Sequence, residues 1–387
     1  MTESAHKQHS AQLSLHDARF MRDALALGWR QQGLTSPNPA VGAVIVRPED
    51  GSGGHAPFVV GRGATQAGGR PHGEPVALAM AGEAARGATL YVTLEPCSHH
   101  GRAGPCADAI IAAGIARVVS GLEDPDARVS GQGHARLRAA GITVDIGVLA
   151  DEAARAHRGH VLRVTQGRPA ITLKLARTAD GVVSSGSAAR LLITGSAAND
   201  QVHLLRAHAD AVLVGVGTVL ADDPLLTVRL PGLEQRSPVR VVLDSRLRTP
   251  PAVRLVTGAA QHPTWIITTE TAPASAEEAL RRAGADVIRV AGDANGRVSL
   301  PAALGALAQR GIARVLAEGG PELADALTEA DLVDEALVVT APDVRFGEGG
   351  YRIGPSFAAA LSDAGRFRLL RSGAWNVDFY EEFERIS

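Results

Sequence analysis

Pro71-His72-Gly73-Glu74, followed further on by Thr93-Leu94-Glu95-Pro96-Cys97-Ser98-His99-His100-Gly101-Arg102-Ala103-Gly104-Pro105-Cys106, is the stretch around which the chain is organised. One imidazole, His72, and two thiols, Cys97 and Cys106, supply three ligands of a tetrahedral zinc. They leave the fourth position to water, as a catalytic site requires. Glu74 stands two residues after His72, placed to face that water without ligating, and is the candidate proton shuttle. The chain has only two cysteines, both in this stretch. Two alternatives stand beside zinc: a Cys97–Cys106 disulfide, which no secretory pattern favours, and a pair of inert core thiols. His99 and His100 are further imidazoles that could also serve as ligands, or that line the pocket or face solvent.

Ala77, Leu78 and Met80 recur at helical spacing, which predicts a helix over residues 74–85 with His72 and Glu74 at its start. The positive end of the helix dipole there favours an ionised Glu74. Residues 88–94 read as a buried strand that delivers Cys97. Cys106 opens a helix over 107–113, where a thiolate is stabilised in the same way. On either side lie an amphipathic helix over 16–29, strands at 40–46 and 57–60, strands at 115–119 and 142–146, and a helix over 134–139. Strands alternating with helices predict an α/β architecture.

At 387 residues the chain is long for one domain, and two are expected. Residues 1–13 are polar and read as a loose tail. Residues 14–150 form the first domain, and 151–168 a helical, charged linker ending in Gly167-Arg168-Pro169. Residues 169–387 form the second, with strands at 170–175, 211–216, 239–243, 264–268, 286–290, 314–317 and 335–340. Helices are expected at 197–207, 276–283, 302–310 and 321–328.

Hydrophobic residues make up 45% of the chain, enough for ordinary cores, but aromatics only 3%, so packing rests on Ala, Val and Leu. A formal net charge of -2 argues against broad nucleic-acid binding. No apolar run reaches membrane-spanning length, and the N-terminus lacks a basic-then-apolar signal pattern. The expectation is a cytoplasmic protein with reduced thiols and no nucleic-acid or membrane partner.

The general signature of zinc nucleobase deaminases is H-x-E with P-C-x-x-C. Here the first half fits, and in the second eight residues separate Cys97 from Cys106. With that spacing, His72-Gly73-Glu74, the run Thr93 to Gly101 and Pro105-Cys106 resemble the deaminase half of the bifunctional riboflavin-biosynthesis deaminase-reductases. Ser36-Pro37-Asn38-Pro39-Ala40-Val41-Gly42-Ala43-Val44-Ile45-Val46 is similar to that family's opening. In the second half, Gly215-Val216-Gly217-Thr218 and Glu318-Gly319-Gly320-Pro321 read on their own as tight turns or as phosphate loops, and neither matches G-x-G-x-x-G. Together with Leu173-Lys174, Asp180-Gly181, Ile193-Thr194, Leu205-Arg206, the run Val214 to Pro224 and Leu226-Thr227-Val228-Arg229, they resemble the family's reductase half.

The resemblance implies a cytidine-deaminase-like α/β/α sandwich followed by a dihydrofolate-reductase-like domain. It implies deamination of a diamino-pyrimidinone ribosyl phosphate at Zn2+, then NADPH-dependent reduction of the ribosyl chain to ribityl. Asn38 would contact the pyrimidine. Ala176, Leu192, Thr218, Asp222 and the loop from Gly320 would lie along NADPH. Lys174, Arg190, Leu226 and Glu318 would contact the reductase substrate. Arg206 and Arg229 would hold its phosphate, for which a guanidinium fork is suited. A homo-oligomer acting on a small phosphoribosyl-pyrimidine is expected. Thr65 and Val76 stand where the family usually has histidine, and Gly73 where it has alanine. Thr178-Ala179 replaces Ser-Leu, Leu192 a tryptophan and Arg190 a serine. Three alternatives stay open: one activity alone, a related nucleotide substrate, or a zinc-stabilised nucleotide-binding module, which has no need of Glu74.

Overall fold

The computed structural model describes residues 3–47, 57–99, 104–126, 129–184 and 193–386, with side-chain surroundings from Leu15 onward. Contacts divide the chain into two units, Met1–Gln166 and Gly167–Ser387.

In the first unit the elements run α1 (Glu3–Trp29), β1 (Gly42–Arg47), β2 (Phe58–Ala64), α2 (Gly73–Ala81), β3 (Thr89–Val92), α3 (Cys106–Ala112), β4 (Arg117–Ser120), α4 (Gln132–Ala139), β5 (Thr143–Ile146) and α5 (Ala150–Gln166). The sheet order is β2-β1-β3-β4-β5. β1 is antiparallel to β2 and β3, whereas β3, β4 and β5 are parallel. The first five residues of β1 are buried, as befits a strand covered on both faces. Phe20, Met21 and Ala24 of α1 pack on Val44, Val46, Tyr91 and Val119. On the opposite face Ala77 of α2, Ile110 of α3 and Leu137 of α4 pack on Ala43, Ile45, Leu90 and Val118. Two glycines of β2 set how close α2 comes. A Cβ on Gly61 would lie 2.3 Å from the Ala77 carbonyl oxygen, and one on Gly63 2.1 Å from that of Gly73. A side chain at either position would push α2, and the His72–Glu74 turn with it, off the sheet.

The second unit contains β6 (Ala170–Thr178), β7 (Val182–Ser184), α6 (Ser196–Ala207), β8 (Ala211–Gly215), α7 (Val216–Asp222), β9 (Val239–Leu243), α8 (Arg254–Thr257), β10 (Thr264–Thr269), α9 (Ala274–Arg282), β11 (Asp286–Val290), α10 (Leu300–Gln309), β12 (Arg314–Ala317), α11 (Pro321–Glu329), β13 (Glu335–Ala341), β14 (Tyr351–Arg352), α12 (Pro355–Ser362), β15 (Phe367–Trp375) and β16 (Asp378–Arg385). Its main sheet has nine strands in the order β11-β10-β9-β8-β12-β6-β13-β16-β15. From β11 to β13 neighbours are parallel, and β16 and β15 close the edge antiparallel. Ile171, Leu173 and Leu175 of β6 face a core shared with Leu304, Leu327 and Phe357. By the two-residue period of a strand, Lys174 and Ala176 point to the other face. There Val212 and Val214 pack with Val219, Leu255 and Leu280. Because β8, β12 and β6 are adjacent and parallel, their carboxyl ends lie side by side, the edge where open α/β sheets bind ligands.

Three regions differ from the sequence expectation. Helix α1 begins at Glu3, not near His16; residues 3–13 contain neither Gly nor Pro, so nothing stops the helix extending upstream into the expected tail. Residues 151–166, expected as a helical linker, do form a helix, α5, but it belongs to the first unit and buries Ala153, His157 and Gly159. That helix is held by polar contacts, such as Gln32 Nε2 to the Ala156 carbonyl at 3.0 Å, and so lacks a long apolar stripe. The β15–β16 hairpin was not anticipated. A bulge between Leu369 and Arg371 breaks its alternation, and most of β15 is exposed. Among the described residues no helix is long and apolar enough to cross a membrane.

Candidate active site

Each candidate zinc ligand sits at the edge of an element. His72 is the N-cap of α2, Cys106 is the first residue of α3, and Cys97 lies in the loop beyond β3. Cys106 Sγ is 3.3 Å and Cys97 Sγ 3.7 Å from His72 Nδ1. The three ligand atoms lie within 4.8 Å of one another. Zn–S bonds of about 2.3 Å and Zn–N bonds of about 2.0 Å make N···S edges of roughly 3.5 Å in a tetrahedron, so these atoms form one of its faces. The Cys106 amide donates to Cys97 Sγ at 3.3 Å, and both cysteines are free of disulfides.

Glu74 is only 3% exposed. Its Oε2 is buried without a hydrogen-bond partner, an arrangement that costs free energy unless something supplies one. Burial pushes the carboxyl up to about 7. Cys106 hydrogen-bonds to Cys97 and so holds that thiol well below its usual range, while Cys106 is pushed up by the same bond and by burial. The bond to Cys97 also raises His72. One imidazole, two thiols sharing a proton and a stranded carboxylate are what a dication with a water ligand would satisfy together. The donor set fits zinc.

The ligands open into a cavity of about 490 Å³. Asn38 lines it, with Nδ2 donating to the Gly69 carbonyl at 2.8 Å. Thr65 also lines it, 1% exposed, its Oγ1 accepting from the Val41 amide at 3.1 Å. Several lining residues were not singled out from sequence: Arg70, Asp124, Asp126, His160 and Arg163. His160 and Arg163 come from α5. Their signal was His157, His160 and Arg163 recurring at near-helical spacing in a stretch read as linker. His160 Nε2 lies 3.2 Å from Asp124 Oδ1. Glu95, just ahead of Cys97, was also missed. Its buried carboxylate accepts the backbone N–H groups of Asp124, Gly131, Gly133 and His134 at 2.8–3.1 Å. It clamps the Asp124-bearing loop and the start of α4 to the cysteine loop. Glu95 and His134 group with Glu123 as a second cluster of potential ligands, but these four bonds already occupy the Glu95 carboxylate.

In the second unit, Glu318 follows β12 and Arg206 ends α6. They form a two-pronged ion pair, Nε to Oε1 at 2.6 Å and Nη2 to Oε2 at 2.7 Å, while Arg206 Nη1 donates to the Thr227 carbonyl at 3.1 Å. Arg206 draws Glu318 below the usual carboxylate range against the cost of its burial. Burial lowers Lys174, opposed by Glu318. Arg229 is exposed, and its amide donates to His203 Nδ1 at 3.3 Å. Thr218 lies in α7 and Asp222 ends it, Ala176 is near the end of β6, and Gly320 is the N-cap of α11. Leu226 is buried with a positive φ of 54°. Arg190 and Leu192 lie outside the described residues. The carboxyl edge thus brings Lys174, Arg206 and Glu318 together, with Thr218 in the helix that follows β8 and Gly320 at the N-cap of the helix that follows β12.

Residues 15–122 match the family described as the cytidine and deoxycytidylate deaminase zinc-binding region, and residues 169–359 match the RibD C-terminal domain. The chain is 42% identical to the riboflavin biosynthesis protein RibD of Escherichia coli (strain K12), over 85% of this chain and 88% of that protein. It is 41% identical to the RibD of Aquifex aeolicus (strain VF5), over 86% and 88%. The solved structure of Acinetobacter baumannii RibD superposes with a TM-score of 0.82 at 33% identity, covering 97% of this chain and 100% of that one. With a zinc-binding deaminase region ahead of a RibD reductase domain, the chain belongs to the RibD family of bifunctional riboflavin-biosynthesis enzymes.

Proposed function

We propose that the first unit hydrolytically deaminates a diamino-pyrimidinone ribosyl phosphate, and that the second then reduces the ribosyl chain of the product to ribityl with NADPH. The observation that carries the first step is the face formed by His72 Nδ1, Cys97 Sγ and Cys106 Sγ beside a buried Glu74 whose Oε2 has no partner. His72, Cys97 and Cys106 hold the zinc, which when bound supplies Lewis acidity that makes water a nucleophile at neutral pH. Glu74, poised near neutrality by burial, takes a proton from the attacking water and passes it to the ring and the departing amine. Water adds to the amino-bearing carbon, its C–N bond breaks, and ammonia leaves as the carbonyl forms. Asn38, fixed by Gly69, presents its remaining amide oxygen to the pyrimidine.

In the second unit, NADPH supplies the hydride for the sugar's carbonyl carbon. Ala176, Thr218, Asp222 and the turn at Gly320 would hold it, the last at a helix N-terminus suited to its phosphates. Lys174 and Glu318 contact the sugar. Arg206 is engaged by Glu318, so its part is to hold that carboxylate in place, and the exposed Arg229 meets the substrate phosphate. Exposed Leu369, Leu370 and Phe379 on the β15–β16 hairpin support a homo-oligomer.

The test is an assay of the zinc-loaded protein with the diamino substrate. Ammonia release without NADPH, followed by NADPH oxidation when it is added, is expected. Metal analysis should find one zinc per chain, lost in a Cys97→Ser, Cys106→Ser double variant. NADPH oxidation without prior ammonia release would overturn the order of the two steps.

A further inference from the structure

We propose that Arg70 and Arg163 form an anion subsite in the first unit's cavity that grips the ribose 5-phosphate of the deaminase substrate. This rests on the deaminase reading above. Both side chains line that cavity. Arg163 Nη2 donates to the Pro37 carbonyl at 2.8 Å. The next residue, Asn38, donates through Nδ2 to the carbonyl of Gly69 at 2.8 Å, and Gly69 precedes Arg70. Thr35 Oγ1 braces the same loop by donating to the Asn38 carbonyl at 2.9 Å. Arg163, Pro37, Asn38, Gly69 and Arg70 are therefore one connected wall, and Arg70, Asn38 and Arg163 all line the cavity that holds His72 and Glu74.

All four acids that line the cavity, Glu74, Glu95, Asp124 and Asp126, have partners other than these two arginines. Glu95 is surrounded by four backbone N–H groups. Asp124 accepts from the Asp126 amide at 3.0 Å and lies 3.2 Å from His160 Nε2. Glu74 sits against the Cys106 thiol. Among the described residues neither Arg70 nor Arg163 has a carboxylate within ion-pair distance, and Arg163 Nε is buried with no partner. A half-buried guanidinium with donors left over and no counter-charge is a site for an anion, and its planar fork matches a phosphate. A cavity of about 490 Å³ is in the range that encloses a whole small ligand, so it has room for the phosphoribosyl arm as well as the ring.

The experiment measures deamination by the zinc-loaded full chain on the phosphorylated substrate and on its dephosphorylated ribonucleoside, with inorganic phosphate as competitor. In Arg70→Gln and Arg163→Gln, KM for the phosphorylated substrate should rise on the order of ten- to a hundredfold each, with kcat nearly kept. The preference for phosphorylated over dephosphorylated substrate should collapse, and competitive inhibition by phosphate should weaken in parallel. Gln at 163 retains a donor for the Pro37 carbonyl. Arg70 makes no hydrogen bond among the described residues, so Arg70→Gln decides the matter if the other variant does not fold. Wild-type deamination whose phosphate preference persists in the variants, or is missing from the outset, overturns the subsite alone. A wild type inert toward both substrates overturns the deaminase reading and the subsite with it.

Discussion

The two sites of this chain are built on opposite plans. In the first unit, the candidate zinc ligands and Glu74 fall within the stretch from His72 to Cys106 and meet because two helices begin beside one strand end. In the second, Lys174, Arg206 and Glu318 come from separate elements and meet because β6 and β12 are neighbours. Coordination chemistry demands particular atoms at fixed distances, and a short chain segment can supply them. Holding a cofactor and a phosphorylated sugar demands a polar edge and helix starts, which many sequences supply. The first plan concentrates function in residues without substitutes. The second spreads it over ion pairs that also hold the fold together.

The sharpest test of that contrast is Glu74→Gln, which keeps the side chain's size and removes its basicity. Deamination should fall by about 10²–10⁴-fold. Zinc content and NADPH oxidation with the already deaminated intermediate should stay at wild-type level. Retained deamination would show that Glu74 is not the shuttle. Equal loss of reduction on both substrates would show that the two sites are not separate. The corresponding change in the second unit, Arg206→Ala, should behave differently. Glu318 is 11% exposed at its side chain, and removing its partner strands a buried charge at a cost of about 3–5 kcal/mol. Denaturant unfolding should register that loss of stability before any change in KM is read. A variant of wild-type stability with raised KM would mean that Arg206 serves the substrate and not Glu318.

What could be read from sequence follows the same division. The convergence of His72, Cys97 and Cys106 beside Glu74 was legible because these are residue types whose joint chemistry has few alternatives. The strands were legible because β1 and the parallel core strands are continuous apolar runs. Helix α5 was legible as a helix but not as part of the first unit, since it docks through Gln32, His157 and His160 and carries few large apolar residues. With it went His160 and Arg163. Glu95 lay in plain view in the cysteine motif. Its task of gathering four amides from residues 124–134 is a long-range contact that spacing does not reveal. In the second unit the motif residues could be named only by resemblance, and the engagement of Arg206 by Glu318 emerged only from the geometry.

The smallest of these effects concerns the protein stripped of metal, where the burial of Glu74 is offset only in part by His72 and the Cys106 thiol. Glu74 is moved from its ordinary value of 4.5 up to about 7, chiefly by burial. Between those values the folded state holds a proton that the unfolded state has released. Stability must therefore fall as pH rises through that window. Below 4.5 both states are protonated and Glu74 contributes nothing; above about 7 the full penalty is present, about 3 kcal/mol. Urea unfolding of chelated protein across this range should show a downward slope that Glu74→Gln lacks, because the amide does not titrate. With zinc restored the trend should reverse, since metal affinity grows as His72 and the thiols lose their protons. Identical pH slopes for chelated wild type and Glu74→Gln would mean that Glu74 is hydrated in the metal-free protein. The first site would then be as solvated and forgiving as the open edge of the second, and the contrast between the two plans would narrow to the metal alone.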